Sequence, residues 1–477
     1  MTHPGPRGIA VLDIGASHTR LALFDPELNE RGVEQIRSTV RAGPPYLHLD
    51  LGPALNLVAR ALPRLDAILP VDALVPCAHG SALALLDPAG ALVLPIMAYG
   101  ADPPGEIVES YARIAPPFDE VFAQTNPAAL TLGRQLHWQE TAFPEAFANA
   151  AAILPLAQYA AYRLGGRGVA EVTALGAQTH LWAPEARTFS TLAEARGWAR
   201  RIAPMTPAWE ALGTLDLKLR GEGRILTGIH DSNANLLRYR AARPDPFTLL
   251  STGTWIIGFD TGAGLQGLEA ARDLVSNTDI FGAPVAASRF MGGREFEILA
   301  AGAPAEVGSV EAVRALVSAG TMALPSFTDS GGPVPETGGR GRIIGPPPEG
   351  PPAHASLAAL YTALMSSVSL RGLGPSAPVI VDGPFAANGL YLGLLARALP
   401  EVEILASAET NGTRAGAALL ALMPPNGALP ERPIDLTPVA PADIPGFDAY
   451  AAQWWAWAHR GDPPEHPEAT HASGGDI

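Results

Sequence analysis

The chain has 477 residues, 50 of them glycine and 47 proline, with 47% apolar and 17% charged residues and a formal net charge of −15. That length exceeds one ordinary hydrophobic core and predicts two domains, while the acidic balance argues against a nucleic-acid backbone as partner. Cys77 is the one cysteine, which excludes an intrachain disulfide, and its apolar setting "ALVPCAHG" predicts a buried, inert thiol.

The opening "MTHPGPRG" leads into a strand with no room for a signal peptide. No apolar run approaches the ~20 residues of a membrane span, so a cytoplasmic protein without a membrane partner is expected. The first informative stretch is "GIAVLDIGASHTRLALFD" (Gly8 to Asp25): an apolar strand, a tight turn of small residues, and a second apolar strand. "LDAILPVDALVPCAHG" follows, then "SALALLDPAGALVLPIMAYG", which reads as a hairpin closed by Asp87–Gly90. Helical patterns cover Leu132–Trp138 and Ala148–Leu164, and Gly165 and Gly166 end the second. In "GRILTGIHDSNANLLRYRAA" a strand and a turn lead into a helix, so His230 and Asp231 fall at its mouth.

The second half restarts with "PFTLLSTGTWIIGFDTG" (Pro246 to Gly262), which repeats the design of the first hairpin. Turns of this kind aim backbone N–H groups into a concavity that suits phosphate oxygens. Two of them, each near the head of a half-chain, predict duplicated domains facing one another across a nucleotide. The expected units are 1–245 and 246–460, with 461–477 a polar, Pro-rich and disordered tail whose His466 and His471 are not metal ligands. Ser330 to Pro352 reads as a long surface loop; its "GRGRIIG" lacks the Gly-Lys-Ser/Thr of a Walker loop. A helix near Leu357–Leu373 and the strand "APVIVDGP" come next, then Gly-punctuated helices on either side of the strand "VEILAS". The last helix, "FDAYAAQWWAWAH", is amphipathic; its Trp454, Trp455 and Trp457 are read as packing, either on their own domain or at a homodimer interface.

The segments "DIGASHTR" (Asp13–Arg20), "GIHDSNAN" (Gly228–Asn235), "STGTW" (Ser251–Trp255), "VDGPFAANGL" (Val381–Leu390) and "ETNGTRAGAA" (Glu409–Ala418) stand in a telling order. In them the chain resembles the FGGY family of carbohydrate kinases, within the actin-like ATPase superfamily, over roughly residues 8 to 425. "DIGAS", the His-Asp pair, "STGTW" and the "LLD" hairpin after Gly80 look most like rhamnulokinases and fuculokinases. The resemblance implies an α/β fold of two ribonuclease-H-like domains facing across a nucleotide and sugar cleft. It also implies a small-molecule sugar as substrate, with ATP and Mg²⁺ as cofactors.

Phosphoryl transfer needs in-line positioning, charge neutralisation and a base near the attacking hydroxyl. By resemblance Asp231 is that base, the alternative being a plain helix N-cap at Asp231 or Ser232. Asp13 would hold Mg²⁺ through water, or else cap a turn. Ala16, Ser17 and Thr19 would offer N–H groups to phosphate, and Arg20 is either a further cation or a solvated strand-end charge. Gly253 and Thr254 match the second phosphate turn. Gly383 and Asn388 would approach the adenosine, although Asp382, Gly383 and Pro384 stand where the family usually has adjacent glycines. Gly412 and Gly416 open either the base pocket or a helix contact. For the sugar the resemblance points to His79, Gly80, Ser81, His230 and Ser232, with His230 equally readable as a structural histidine. Arg289, in "SRFMGGREFE", occupies a position where rhamnulokinases carry an Asn, so it would change hydroxyl recognition or swing towards a phosphate.

The expected activity is an ATP-dependent ketose kinase acting on a deoxyhexulose such as L-rhamnulose or L-fuculose. Pentuloses (xylulose, ribulose) or a tetrulose (erythrulose) are the alternative. An actin- or Hsp70-like nucleotide switch and a sugar sensor are the readings outside the kinase class. A dinucleotide enzyme is excluded, because no G-x-G-x-x-G opens a helix after the first strand.

Overall fold

Two seven-stranded sheets dominate the structure, a computed structural model that describes residues 6–329, 332–375 and 377–460. The first half supplies β1 (Gly8–Ile14), β2 (His18–Phe24), β3 (Glu30–Arg37), β4 (Val71–Ala78), β5 (Ala211–Thr214), β6 (Arg224–Leu226) and β7 (Ile229–His230). The second supplies β8 (Thr248–Thr252), β9 (Ile256–Asp260), β10 (Leu274–Thr278), β11 (Pro284–Phe290), β12 (Val379–Asp382), β13 (Ile404–Ser407) and β14 (Leu436–Pro438). The first sheet runs β5-β6-β4-β1-β2-β3 with β7 beside β4, and the second runs β14-β13-β12-β8-β9-β11-β10. Each therefore has an antiparallel hairpin (β1–β2, β8–β9) extended by a third antiparallel strand, and a parallel strand on the hairpin's other side. The duplication expected from two look-alike hairpins is one of whole sheets.

Strand burial follows position in the sheet. Every residue of β1 and β4 is buried, as expected of central strands covered on both faces. β3 at the edge alternates half-buried and exposed positions. Helices α1 (Gly52–Ile68) and α2 (Leu156–Arg163) cover one face of the first sheet, burying Leu57, Val58, Leu62, Leu65, Tyr159 and Ala160. Helix α3 (Asp231–Ala242) lies on the other face. In the second half, α4 (Gly292–Ala300), α5 (Gly350–Leu373), α6 (Gly389–Ala398), α7 (Gly412–Leu419) and α8 (Phe447–Arg460) complete the fold. Although it comes from the second half, α7 packs its Ala415, Ala417, Ala418 and Leu419 against Ile9, Val11, Val75 and Leu237 of the first.

Several local expectations are corrected. The predicted helix Ala148–Leu164 is divided: Ala152–Pro155 forms a strand against Leu83–Leu86, and α2 starts only after Pro155, whose missing N–H disfavours a helix interior. The Asp87–Gly90 turn forms, with Asp87 Oδ1 accepting from the N–H of Ala89 and Ala91 at 2.9 Å each. Its return arm makes only a single bridge, Leu86 to Leu92. Part of the predicted loop is ordered: Arg342–Ile344 pairs with Met322–Leu324, and α5 begins at Gly350, led by prolines in its first turn.

Helix α5 also corrects the statement about apolar runs. Its 24 residues are long and apolar enough to cross a membrane, because alanine, serine and threonine among its leucines leave Arg371 as its one Arg, Lys, Asp or Glu. In the fold 89% of its most apolar 18-residue window is buried, which makes it the core helix of the second domain. In α8, Trp454 is buried with Nε1 donating to the Ala323 carbonyl at 2.6 Å, and Trp457 is half-buried against the same core. Trp455 is 39% exposed and is not part of this core. The tail expected to be disordered lies outside the described residues.

Candidate active site

Three chain segments leave the first sheet at one level. Asp13 is in register with Cys77, and Cys77 with Ile229; one rung on, Ile14, Ala78 and His230 line up. The carboxyl ends of β1, β4 and β7 thus deliver the Gly15–Ser17 turn, the His79–Ser81 segment and Asp231 to one edge of the sheet, where open α/β sheets collect ligands. Across from them, Ser251 on β8 is in register with Asp382 on β12, and the Gly253–Trp255 turn follows.

Asp231 is the first residue of α3; the N-cap is His230, which makes no side-chain cap. Asp231 Oδ1 accepts from the Ser232 N–H at 2.6 Å and the Ser232 hydroxyl at 3.2 Å, and lies 3.2 Å from His230 Nε2. The capping alternative thus fails in its plain form, and Ser232 serves Asp231. The negative charge of Asp231 acts on Asp13, His79 and Tyr99 around it. Asp13 is 7% exposed, and burial, seconded by Asp231, pushes its carboxyl up to about 6 against the pull of Arg414 and Arg20. Arg20 Nη1 stands 3.9 Å from Asp13 Oδ2 while its Nε donates to Gln35 at 2.8 Å, so this partly exposed cation faces both Asp13 and Gln35.

The His79 ring presents both nitrogens buried and without a protein partner, and meets the Tyr99 ring edge-on at 5.5 Å. Burial pushes its pKa down to about 4, so the imidazole is neutral at physiological pH. Tyr99 escaped the sequence reading; an aromatic before a glycine at the end of an apolar run is a weak signal. His230 Nδ1 is 2.6 Å from Asn233 Oδ1, and its backbone N–H donates to Thr173 Oγ1 at 3.1 Å. Thr173 in turn donates to Glu171, a fully buried carboxyl that burial pushes up to about 7. A Cβ on Gly80 would come within 2.9 Å of the His230 ring, so glycine lets these two segments meet without displacing that ring. At Ser81 the backbone carbonyl accepts from Gln135 Nε2 at 3.0 Å.

The phosphate turns sort their residues. Ala16 and Ser17 are exposed at the tip of the first. Thr19 is buried, its hydroxyl 3.1 Å from Ser38 Oγ, which itself donates to the Gly15 carbonyl at 2.7 Å, so the Thr19 side chain braces the turn from behind. In the second turn, Gly253 N–H donates to Trp255 O at 3.0 Å and Thr254 is exposed. A Cβ on Gly293, in the first turn of α4, would fall 2.0 Å from the Gly253 carbonyl, so α4 backs directly onto this turn.

Other expected contacts are redirected. The Arg289 guanidinium is used up by protein: Nε and Nη2 bond Asp273 at 3.2 Å, Nη1 bonds Gln178 and Nη2 bonds Asn126, above the Trp255 ring at 5.6 Å. It ties second-domain Asp273 to first-domain Asn126 and Gln178. Gly383 has φ +84° and packs its α-carbon onto the Thr252 carbonyl, 2.1 Å from where a Cβ would be. Asn388 caps α6, its Oδ1 accepting from Tyr391 N–H at 3.1 Å, which accounts for that residue without adenosine. Gly412 and Gly416 face α3, where added Cβ atoms would fall 2.4 Å from Asn235 Oδ1 and 1.8 Å from the Ala234 carbonyl. Helix contact is thus the alternative that explains both glycines.

No group of three or more His, Cys, Asp or Glu among the described residues forms a ready metal cage. The chemistry at Asp13 nonetheless fits a hydrated cation: a buried carboxylate beside a second carboxylate, with the Arg20 guanidinium no nearer than 3.9 Å.

Two α/β halves, each built on a glycine-turn hairpin within a seven-stranded mixed sheet, have the architecture of the actin-like ATPase fold. Residues 244–430 match the family described as carbohydrate kinase FGGY, C-terminal domain. The chain is similar to a carbohydrate kinase from Novosphingobium aromaticivorans, with 30% identity, a TM-score of 0.84 and coverage of 95% of this chain and 99% of that one. It shares its fold with a xylulose kinase from Rhodospirillum rubrum (19% identity, TM-score 0.72, 95% and 98% covered). It likewise shares it with the Plasmodium falciparum glycerol kinase solved with ADP (14% identity, TM-score 0.76, 94% and 97% covered). No curated protein matches the chain. The chain belongs to the FGGY family of carbohydrate kinases, and is a sugar kinase.

Proposed function

We propose that this kinase transfers the γ-phosphoryl group of ATP to a hydroxyl of a ketose, with Asp231 as the base that takes the hydroxyl proton. The observation that carries the reading is the surround of Asp231: a sheet-end carboxylate at the mouth of α3, beside the neutral, unpartnered imidazole of His79 and the ring of Tyr99. A buried polar group without a partner costs ~1–3 kcal/mol, and a sugar hydroxyl at His79 would supply one. His230 and Ser232 flank the same carboxylate, and Gly80 holds its backbone against His230. ATP would lie between the two turns, Ala16 and Ser17 facing Gly253 and Thr254. Mg²⁺, held near Asp13 through water, would neutralise charge on the transferred phosphoryl group.

The preferred substrates are deoxyhexuloses, L-rhamnulose or L-fuculose, and pentuloses or tetruloses are the runner-up. Arg289 carries no spare charge, because Asp273 matches it; this favours a neutral polyol over a sugar acid. ADP release from Mg-ATP, measured across L-rhamnulose, L-fuculose, D-xylulose, D-ribulose and L-erythrulose, tests the substrate class. A response to none of them would end the ketose reading. Asp231→Asn should lower kcat by about 10²–10⁴-fold with ATP binding intact; an undiminished kcat would remove Asp231 from the chemistry.

A further inference from the structure

Asp231, Asn235 and Tyr239 are spaced four apart on α3 and so share one stripe of the helix. The stripe begins at the cleft and runs away from it into a buried polar network. Asn235 Nδ2 donates to Asp382 Oδ2 at 2.7 Å and to Ser251 Oγ at 3.1 Å. The Tyr239 hydroxyl donates to the other carboxylate oxygen, Asp382 Oδ1, at 2.7 Å, and also lies 2.7 Å from Ser407 Oγ. Asp382, Asn235 and Tyr239 are 6%, 3% and 0% exposed. The Asp382 backbone carbonyl accepts from Thr252 Oγ1, and that hydroxyl accepts from the Phe385 N–H at 3.1 Å. Thr252 is the residue directly before the Gly253–Trp255 turn.

Asp382 of the second domain is therefore bonded through its carboxylate to the helix that carries Asp231, and through its backbone carbonyl to the strand that leads into the Gly253–Trp255 turn. Apolar packing has the same double character. Leu236 and Tyr239 of α3 pack with Phe247, Leu249, Ile380 and Leu405 of the second domain, while Ala234, Leu237 and Ala241 pack on the first sheet. Such packing resists separation but is weakly directional, so a helix held by it alone can slide or rotate. Asn233 bonds Asn277 and Thr278, and Arg238 bonds Glu409, at other points of the helix; the two charge-assisted hydrogen bonds to the Asp382 carboxylate add direction on the stripe that carries Asp231.

We propose that Asp382 is a positioning residue that locks α3 to the β8 phosphate turn, so that Asp231 and Gly253–Thr254 keep one mutual geometry through phosphoryl transfer. The role is mechanical, since Asp382 is separated from the cleft by Asn235 and Thr252. It accounts for a charged side chain at the end of β12, where the resemblance led one to expect glycine. It rests on the reading of Asp231 as the base.

The test is a set of variants assayed with L-rhamnulose and D-xylulose as acceptors, with melting temperature recorded for each. Asp382→Asn keeps the shape but offers one donor and one acceptor to two donors, Asn235 and Tyr239. Since a ~1 Å misplacement costs on the order of 10²-fold, kcat should fall by at least about tenfold while KM for the sugar stays within about twofold. The reciprocal pair Asn235→Asp with Asp382→Asn restores complementary donors and acceptors, and should return kcat to within about threefold of the parent. A purely structural role would move the melting temperature without this split and rescue. A parental kcat in Asp382→Asn, or a double variant no better than the single, would overturn the proposal. Should Asp382→Asn fail to fold, Tyr239→Phe removes one donor only: a reduced kcat supports the lock and an unchanged kcat overturns it. Asp231→Asn assayed alongside separates the two claims. If it is inactive while Asp382→Asn is fully active, only the positioning role falls; if it is active, the base assignment falls.

Discussion

Gly416→Ala distinguishes helix packing from a nucleotide pocket at the C-terminal motif. An alanine Cβ at this position would stand 1.8 Å from the Ala234 carbonyl oxygen, 2.7 Å from its carbon and 3.2 Å from Arg238 N. Ordinary carbon contacts begin near 3.5 Å, so α7 and α3 must part by more than about 1.5 Å. All three obstacles are backbone atoms of α3 and cannot rotate aside. Overpacking of this kind costs ~1–3 kcal/mol, and the upper end applies here. Alanine returns ~1 kcal/mol of helix propensity, leaving a net loss of about 2 kcal/mol. At roughly 2–4 °C per kcal/mol for a unit of this size, calorimetry should record a Tm lowered by about 4–8 °C. Because α3 begins with Asp231, kcat should fall as well. If glycine instead spares room for the base, KM for ATP should rise while Tm stays level or increases. A Tm at or above that of the parent would refute the packing argument.

Two more predictions follow from buried charges. Arg289→Ala leaves Asp273, 4% exposed, with Gln124 as its remaining side-chain partner, which should destabilise the protein by about 3 kcal/mol in urea titration; the double variant with Asp273→Asn should recover part of it. A loss below about 0.5 kcal/mol would mean the link between domains carries no weight. Glu171 has a folded pKa of about 7 against 4.5 when exposed. Between those values the folded state keeps a proton that the unfolded chain has released, so stability falls as pH rises through the window. Glu171→Gln cannot titrate, and its stability relative to the parent should therefore increase from about pH 4.5 to about pH 7 by up to ~3 kcal/mol. The opposite slopes of His79 and His180, both pushed down to about 4, cancel in that difference. Parallel urea curves for the two proteins would contradict the assignment.

Much of this architecture is legible in local pattern. The strand–turn–strand segments at Gly8–Asp25 and Pro246–Gly262 announce a duplication because an apolar strand broken by small residues can do little but form a hairpin. His230 and Asp231 are legible at a strand-to-helix junction for the same reason. Pattern fails where two periodicities overlap. Ala148–Leu164 is apolar enough for either state, and only its pairing with Leu83–Leu86 makes the first part a strand. Tyr99 and Glu171 were not anticipated, since their neighbours in space, His79 and His230, are distant in sequence.

What the amino-acid sequence determined by itself is the local chemistry: strands, glycine turns, and an aspartate at a helix mouth, each set by residues within one or two turns of chain. What only the tertiary structure decided is which partner each polar group takes. Arg289 looked free and is consumed by Asp273, Asn126 and Gln178; Asn388 looked like a ligand contact and caps its own helix; Gly416 looked like pocket space and is a helix crossing. Asp382 looked like a lost glycine and is a junction between domains. A buried donor or acceptor must be paired wherever the fold leaves it, and the identity of that pair depends on distances that no local pattern encodes.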